Sequence, residues 1–371
     1  MSSTPDRPNG GAREAFFLRV DDAASLTGYL RQRGWIAADE EIQSLSPAGD
    51  GNMNCTIRVV TGTRRLVVKQ GRPWVERYPS IPAPPGRTLV EAAFYEVIAR
   101  VPGVADRMPT LVGVDREHCV LVMEDCVGFA DLTNLYAGGT LDPEVLDELL
   151  EYLAALHRVP VADPGVIPFA NDAMRALNHA YIFALPLTYD ADTATRLESV
   201  TAGLARYAEA LTAQTAYTDA VTRLGECYLR GPARALVHGD FFPGSWLARG
   251  RDVVVIDPEF CFGGAPEFDY GVMAAHLVMA DQDAALVHRV ASAAAAEGLA
   301  AGLVAGFAGV EVMRRVIGVA QLPRLERSVA AKAALLDRSR RLVLGLETLA
   351  GDGRPGGTTA AASPASPLPR R

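Results

Sequence analysis

Cysteine is scarce in this 371-residue chain and scattered: Cys55, Cys119, Cys126, Cys227 and Cys261 are odd in number and include no Cys-x-x-Cys pair. That excludes a disulfide framework and a zinc-ligand set, so the thiols are read as reduced. Long uncharged apolar runs are also missing, none reaching the roughly 18–20 residues that span a bilayer. The opening MSSTPDRPNGGARE has no apolar signal-peptide core. The expectation is a soluble, cytoplasmic protein with no membrane partner. Net positive charge is absent as well, and a formal charge of −8 offers no mean field to attract nucleic acid. No repeat of 20–50 residues is visible.

What is present is enough apolar sequence, 49% of residues, for one large core or two moderate ones. Residues 1–14 and 350–371 are rich in Gly, Pro, Ser and Ala and are expected to be disordered. From Leu45 to Gln70 the pattern is an apolar run, the turn Ala48-Gly49-Asp50-Gly51-Asn52, and two β-forming runs around Thr61-Gly62, which predicts an antiparallel hairpin. The following Pro-rich segment, Pro73 to Pro85, is expected to be a loop or flap because proline breaks both sheet and helix. A helix is predicted from Thr88, whose spacing to Glu91 is that of a capping box, with Val90, Phe94, Val97 and Ile98 on one face. Strands near Leu111–Val114 and Cys119–Met123 lead into the polar Glu124-Asp125-Cys126, where a lobe boundary is placed. Beyond it Asp142 is a predicted N-cap and Pro143 the first residue of a helix carrying Leu146, Leu149, Leu150, Leu153 and Leu156. The remainder reads as mostly helical. The fold class expected is α+β in two lobes, a β-rich N-lobe over 15–125 and a mostly helical C-lobe over 126–349.

The chemistry concentrates between Val237 and Phe260, VHGDFFPGSWLARGRDVVVIDPEF. Phosphoryl transfer to an alcohol needs a carboxylate beside the attacking hydroxyl, divalent metal on the phosphates and a cation on the α/β-phosphates. Asp240 follows His238-Gly239 and precedes Ser245 by five positions, the Asp-to-ligand offset of the kinase catalytic loop, and is the candidate base. Asp257 and Glu259 follow the run Val253 to Ile256 at a strand end, where hard oxygen donors suit Mg²⁺. Ser245 is a further candidate metal ligand. Singly, each has an ordinary explanation: a surface turn, a strand-ending Asp-Pro, a helix cap at Asp269. Their joint order favours function.

Lys69 ends the run Leu66-Val67-Val68 as the Lys of V-A-I-K does, and is the candidate phosphate cation. Glu91 and Glu96 compete as its partner; Glu91 is preferred, although capping with Thr88 accounts for it equally. Gly49, Asp50, Gly51 and Asn52 sit where a glycine-rich turn brings backbone N–H groups to phosphates. Glu124 and Cys126 are placed to offer backbone groups to the base. Arg314 and Arg315, embedded in the apolar EVMRRVIGVA, need partners and are candidate acceptor ligands, against the alternative of one surface arginine and one structural ion pair. His157 and His238 are assigned to structure.

These residues together resemble the aminoglycoside phosphotransferase and choline kinase superfamily, and within it the methylthioribose kinases, over about residues 45–325. The stretches that carry the likeness are GDGNMN from Gly49, VVKQ ending at Gln70, VLVMED ending at Asp125, HGDFFPGS with DPEFCFGGAPEFDYG, and MRRVIGVA from Met313. The resemblance implies a protein-kinase-like fold with ATP and Mg²⁺ between the lobes. It further implies Asp240 as base, Asp257 and Glu259 as metal ligands, and Arg314 and Arg315 facing a 5-substituted ribose or a similar sugar. The chain departs from that branch at Phe241-Phe242-Pro243, in the Pro-rich segment, and after Leu325. An antibiotic phosphotransferase acting on a neutral or nucleoside-type antibiotic is the alternative, and a nucleotide-binding pseudokinase the remote one. Polycationic aminoglycosides are disfavoured by the arginine pair. A homodimer is compatible with the sequence, which does not fix the oligomeric state.

Overall fold

The computed structural model describes residues 16–49, 51, 53–161, 169–319, 321–322 and 327–350. The two ends expected to be disordered lie outside them, apart from residue 350. In chain order the first elements are helix α1 (Ala23–Gln32) and strands β1 (Ile42–Pro47), β2 (Cys55–Thr61), β3 (Arg65–Gln70), β4 (Trp74–Val75) and β5 (Tyr78–Pro82). Helix α2 (Arg87–Ile98) and strands β6 (Leu111–Asp115), β7 (Val120–Glu124) and β8 (Ala130–Asp131) follow. Then come α3 (Pro143–Leu156), α4 (Asp172–His179), α5 (Ala191–Val200), α6 (Ala205–Thr212), α7 (Thr215–Arg230) and β9 (Ala235–Val237). The last are β10 (Trp246–Arg249), β11 (Asp252–Val255), β12 (Phe262–Gly264), α8 (Glu267–Met279), α9 (Ala284–Ala296), α10 (Ala301–Ile317) and α11 (Val329–Val343).

The architecture is that of a two-lobed, protein-kinase-like fold: an antiparallel sheet in the order β1-β2-β3-β7-β6, then a predominantly helical region. Lys69 on β3 pairs across to Thr56 on β2 and Leu121 on β7, so the central strand of the sheet holds it from both sides. One face of the sheet, through Ile57, Val59, Leu66, Val68, Val120 and Val122, packs on Leu26 and Leu30 of α1 and on Trp35. The other face, through Leu121 and Met123, joins Phe94 of α2 and the large helical core. That alternation along β7 is the period-2 side-chain rule serving two cores at once.

The predicted helix from Pro143 is present, with the Asp142 side chain accepting from Glu144 N and all five of its leucines buried. Two expectations fail. The Pro-rich segment is not bare loop, since β4 and β5 pair as a short antiparallel ladder. Proline is tolerated there because each strand is an edge, where half the N–H groups need no partner. The capping box is also absent. Helix α2 starts one residue earlier, behind Gly86 with no side-chain cap, and the Thr88 hydroxyl donates instead to Cys119 O at 2.8 Å.

The charged residue inside the first turn of α2, Arg87, is 1% exposed. Its guanidinium donates to Asn54 Oδ1 at 2.7 Å and to the carbonyls of Met53, Arg72, Trp74 and Pro84. It thereby fastens the β4–β5 ladder and the turn before β2 to the start of α2. No helix among the described residues is long and apolar enough to cross a membrane.

Candidate active site

A cleft of about 660 Å³ runs between the sheet and the helical region, within the usual range for small-molecule sites. Gly49, Gly51, Lys69, Glu124, Cys126, Asp240, Ser245, Asp257, Glu259 and Arg315 all border it. Residues nearly 270 positions apart in sequence are thus gathered on one wall or the other. Asp50 and Asn52 lie outside the described residues.

On the sheet side, Lys69 is 2% exposed and its ammonium lies 2.6 Å from Glu91 Oε2 and 2.7 Å from Asp257 Oδ1. Glu91 is therefore the acid that faces Lys69; Glu96 is out on the surface against Arg116. Burial acts to lower Lys69, but the carboxylates of Asp257, Glu91 and Glu259 outweigh it and hold the ammonium charged. Burial pushes the Glu91 carboxyl up to about 8 against the opposing pull of Lys69. The contact between them is an ion pair without hydrogen-bond geometry at the Glu91 oxygens. Gly49, at φ +84°, borders the cleft with open space where a Cβ would stand. The Glu124 side chain turns away to pair with Arg64, which leaves only its backbone for the cleft.

On the helical side, the short β9 ends at Val237 and hands over to the His238-Gly239-Asp240 turn. Gly239 has φ +85°, and a Cβ there would stand 2.3 Å from Phe260 O, so only glycine fits. The turn is clamped from below by Asp269. Its carboxylate, fully buried in the first turn of α8, accepts from His238 N at 2.8 Å, Gly239 N at 3.0 Å and His157 Nε2 at 3.0 Å. The alternative of Asp269 as a helix cap is therefore replaced by a carboxylate that holds the turn. His238 donates its Nε2–H to Ile256 O, 3.0 Å away, and burial lowers its basicity. Both histidines serve structure, as their positions predict. Ser245 donates its hydroxyl to Asp240 O at 3.0 Å, bracing the turn from the other end and leaving oxygen lone pairs free.

Asp257 adopts φ +63°, a left-handed conformation uncommon outside glycine, which aims a carboxylate that is 44% exposed into the cleft. Glu259 is more withdrawn. Its Oε2 accepts from Asn54 Nδ2 at 2.7 Å and lies 3.5 Å from Arg87 Nε, and burial raises its carboxyl. The donor set of Asp257 with the Ser245 hydroxyl is all oxygen and suits a hard cation such as Mg²⁺, which takes one or two carboxylates plus phosphate oxygens rather than a protein cage. No cluster of three or more His, Cys, Asp or Glu forms such a cage among the described residues. Glu259 fits the same role only in part, having committed one oxygen to Asn54.

Arg314 and Arg315, on the last turn of α10, are each 8% exposed, so neither is a surface residue. Their Nη2 atoms approach the same atom, Asp240 Oδ1, at 3.2 and 3.3 Å. Behind them Glu311, 1% exposed, takes Arg314 Nε on Oε2 and Arg315 Nε on Oε1 at 2.8 Å. Although burial opposes it, Arg314 and Arg315 hold the Glu311 carboxyl well below the usual carboxylate range. Sequence reading missed Glu311, His276 and Tyr136. The signal that was available is the spacing of Glu311 to the two arginines, i,i+3 and i,i+4 on one helix.

The departure at Phe241-Phe242 divides in two. Phe241 is fully buried, stacked on Tyr152 at 5.8 Å, and does not reach the cleft. Phe242 does border it, and carries the Arg315 guanidinium over its ring at 4.9 Å.

Residues 44–307 match the family described as Phosphotransferase enzyme family. Among curated proteins, the chain is 28% identical to the methylthioribose kinase of Exiguobacterium sibiricum over 338 residues, spanning 79% of this chain and 84% of the relative. It is also 28% identical to that of Pectobacterium carotovorum over 273 residues, 70% and 66% of the two chains. Among solved structures, the choline kinase of Streptococcus pneumoniae superposes with a TM-score of 0.50 at 12% identity, covering 87% of this chain and 99% of that one. At that identity the likeness speaks for the fold alone. With the family match running through the sheet, the Asp240 turn and most of the helical region, the chain belongs to the phosphotransferase enzyme family.

Proposed function

We propose that the protein is a cytoplasmic, Mg-ATP-dependent kinase that phosphorylates a hydroxyl of a 5-substituted ribose or a similar small sugar. The observation that carries this reading is that the Lys69–Asp257 pair and the Asp240–Arg315 pair open onto the same cleft. One pair has the charges to hold phosphates and a cation, the other a carboxylate to receive an alcohol proton. Bound Mg²⁺ would neutralise charge on the transferred phosphoryl group, with Asp257 as its principal protein ligand and Ser245 and Glu259 beside it. Lys69 would lie on the α/β-phosphates, with Gly49 and Gly51 leaving space for backbone approach. Asp240 would orient the acceptor hydroxyl and take its proton.

The acceptor class follows from charge. Asp240 and Glu311 balance Arg314 and Arg315, so the carboxylate beside which the acceptor would lie is already paired with cations rather than free for the amines of a polycationic aminoglycoside. A neutral polyhydroxyl acceptor meets no such mismatch, and the methylthioribose kinase relatives point the same way. A panel of methylthioribose, 5-deoxyribose, ribose, nucleosides and aminoglycosides with coupled ADP detection tests the reading. Turnover of a pentose supports it; far better turnover of aminoglycosides would overturn the assignment of the arginine pair.

A further inference from the structure

The arginine pair does not stand alone on Asp240. Glu311 receives the Nε of both arginines, and its Oε1 also lies 2.8 Å from His276 Nε2. His276 Nδ1 in turn lies 2.6 Å from the Tyr136 hydroxyl. His276 and Glu311 are 0% and 1% exposed, respectively, and Tyr136 is 8% exposed at the cleft wall. The hydrogen-bond directions are fixed by chemistry. A carboxylate only accepts, so His276 must carry its proton on Nε2; its bare Nδ1 then accepts the proton of the Tyr136 hydroxyl. Burial also keeps the imidazole neutral, pushing it down to about 4.

We propose that Glu311, held by His276 and Tyr136, is a positioning residue that splays Arg314 and Arg315 so that both outer nitrogens converge on Asp240 at the acceptor end of the cleft. Two adjacent arginines on a helix would otherwise diverge by about 100° around the axis and repel each other in a buried site. A single carboxylate at i−3 and i−4 pulls both Nε atoms to one side and neutralises half of their charge. Asp240 neutralises the other half. The histidine fixes the carboxylate's plane, and the tyrosine, donating to Nδ1, holds the imidazole ring in place, as in the outer shells that orient catalytic groups elsewhere. Tyr136 and Arg315 both border the cleft, so an acceptor lying between them touches the two ends of one hydrogen-bonded chain. Phe242 packs against both Arg315 and His276, closing that chain from the cleft side.

The inference rests on the kinase reading above, and its test separates the two. In Glu311→Gln the amide cannot accept from both guanidinium groups, one of its ends being a donor. With whichever acceptor the wild type phosphorylates, kcat is expected to fall about 100-fold, the cost of an ångström-scale misplacement, while the Kd for MgADP stays within about twofold. Tyr136→Phe, which removes only the hydroxyl at the far end, is expected to fold normally and to lower kcat in the same direction by about 3- to 10-fold. A kcat change below threefold in a folded Glu311→Gln, or a parallel loss of MgADP affinity, would overturn the positioning role. If no acceptor is turned over by the wild type, the kinase reading fails on its own. The positioning claim is then decided by a crystal structure of Glu311→Gln: the Arg314 and Arg315 contacts to Asp240 Oδ1 should lengthen beyond hydrogen-bond reach, and unchanged contacts would refute it.

Discussion

Lys69 and Asp257, 188 residues apart, meet at 2.7 Å across the cleft, and behind Lys69 stands the fully buried Glu91. This pairing joins the sheet to the helical region with one buried cation between two carboxylates. Removing the cation in Lys69→Ala leaves Glu91 buried without its partner. Breaking such a pair usually costs about 3–5 kcal/mol. Because burial raises the Glu91 carboxyl and Lys69 opposes that rise, the carboxyl can take up a proton once the ammonium is gone and soften the loss, so a value near the low end is expected. Urea unfolding measures it, and Lys69→Met with Glu91→Gln should recover most of the stability. MgATP affinity should fall in both variants.

The clamp on the Asp240 turn gives a second expectation. Asp269→Ala leaves two buried N–H groups, of His238 and Gly239, without acceptors. Each costs about 1–3 kcal/mol, so thermal melting should fall clearly and kcat with it, since the turn carries Asp240. A variant as stable and as active as the wild type would show that the clamp holds nothing.

Gly239→Ala tests the same turn sterically. A Cβ placed 2.3 Å from Phe260 O at φ +85° must move the backbone, with a strain of about 1–3 kcal/mol. The expected result is a folded but weakened protein whose kcat drops far more than its nucleotide affinity. Isothermal titration with MgADP beside steady-state kinetics separates the two.

Stability should depend on pH through His276. In the folded protein its imidazole stays neutral down to about 4, whereas the unfolded chain protonates near 6.5. Between those values the unfolded state binds the extra proton, so stability falls as pH falls from about 6.5 to 4 and levels off below. The gap is worth roughly 3 kcal/mol. Glu91 contributes with the opposite slope, favouring the folded state as pH drops from about 8 towards its ordinary range. The histidine's share is isolated by comparing urea unfolding of the wild type and His276→Gln at pH 7, 6 and 5: the difference between the proteins should shrink towards low pH.

What could be read from sequence was local. Lys69 follows an apolar strand run, Asp240 and Ser245 share a short turn, and Asp257 ends the next strand, so spacing along the chain placed them. The α3 leucines were readable for the same reason. Glu311 and His276 were not, and Asp269 was read only as a helix cap, because each lies in a helix buried on every side, where apolar neighbours hide the periodic signal; His276 and Asp269 also find their partners on other elements. Thr88 and Glu91 show the converse. Their spacing fits a cap, yet the chain enters α2 at Arg87, whose buried guanidinium sets the start, and Glu91 is drawn inward by Lys69. In the Pro-rich segment, two edge strands needed too few N–H donors for proline to forbid them.

The central claim is that Asp240 receives the acceptor's proton in a nucleotide-dependent transfer. Its most direct test is Asp240→Asn assayed with MgATP and the acceptor the wild type prefers. Turnover is expected to drop by about 10³-fold or more while MgADP binding stays near the wild-type value. Turnover equal to the wild type, with the substitution verified, would contradict the account.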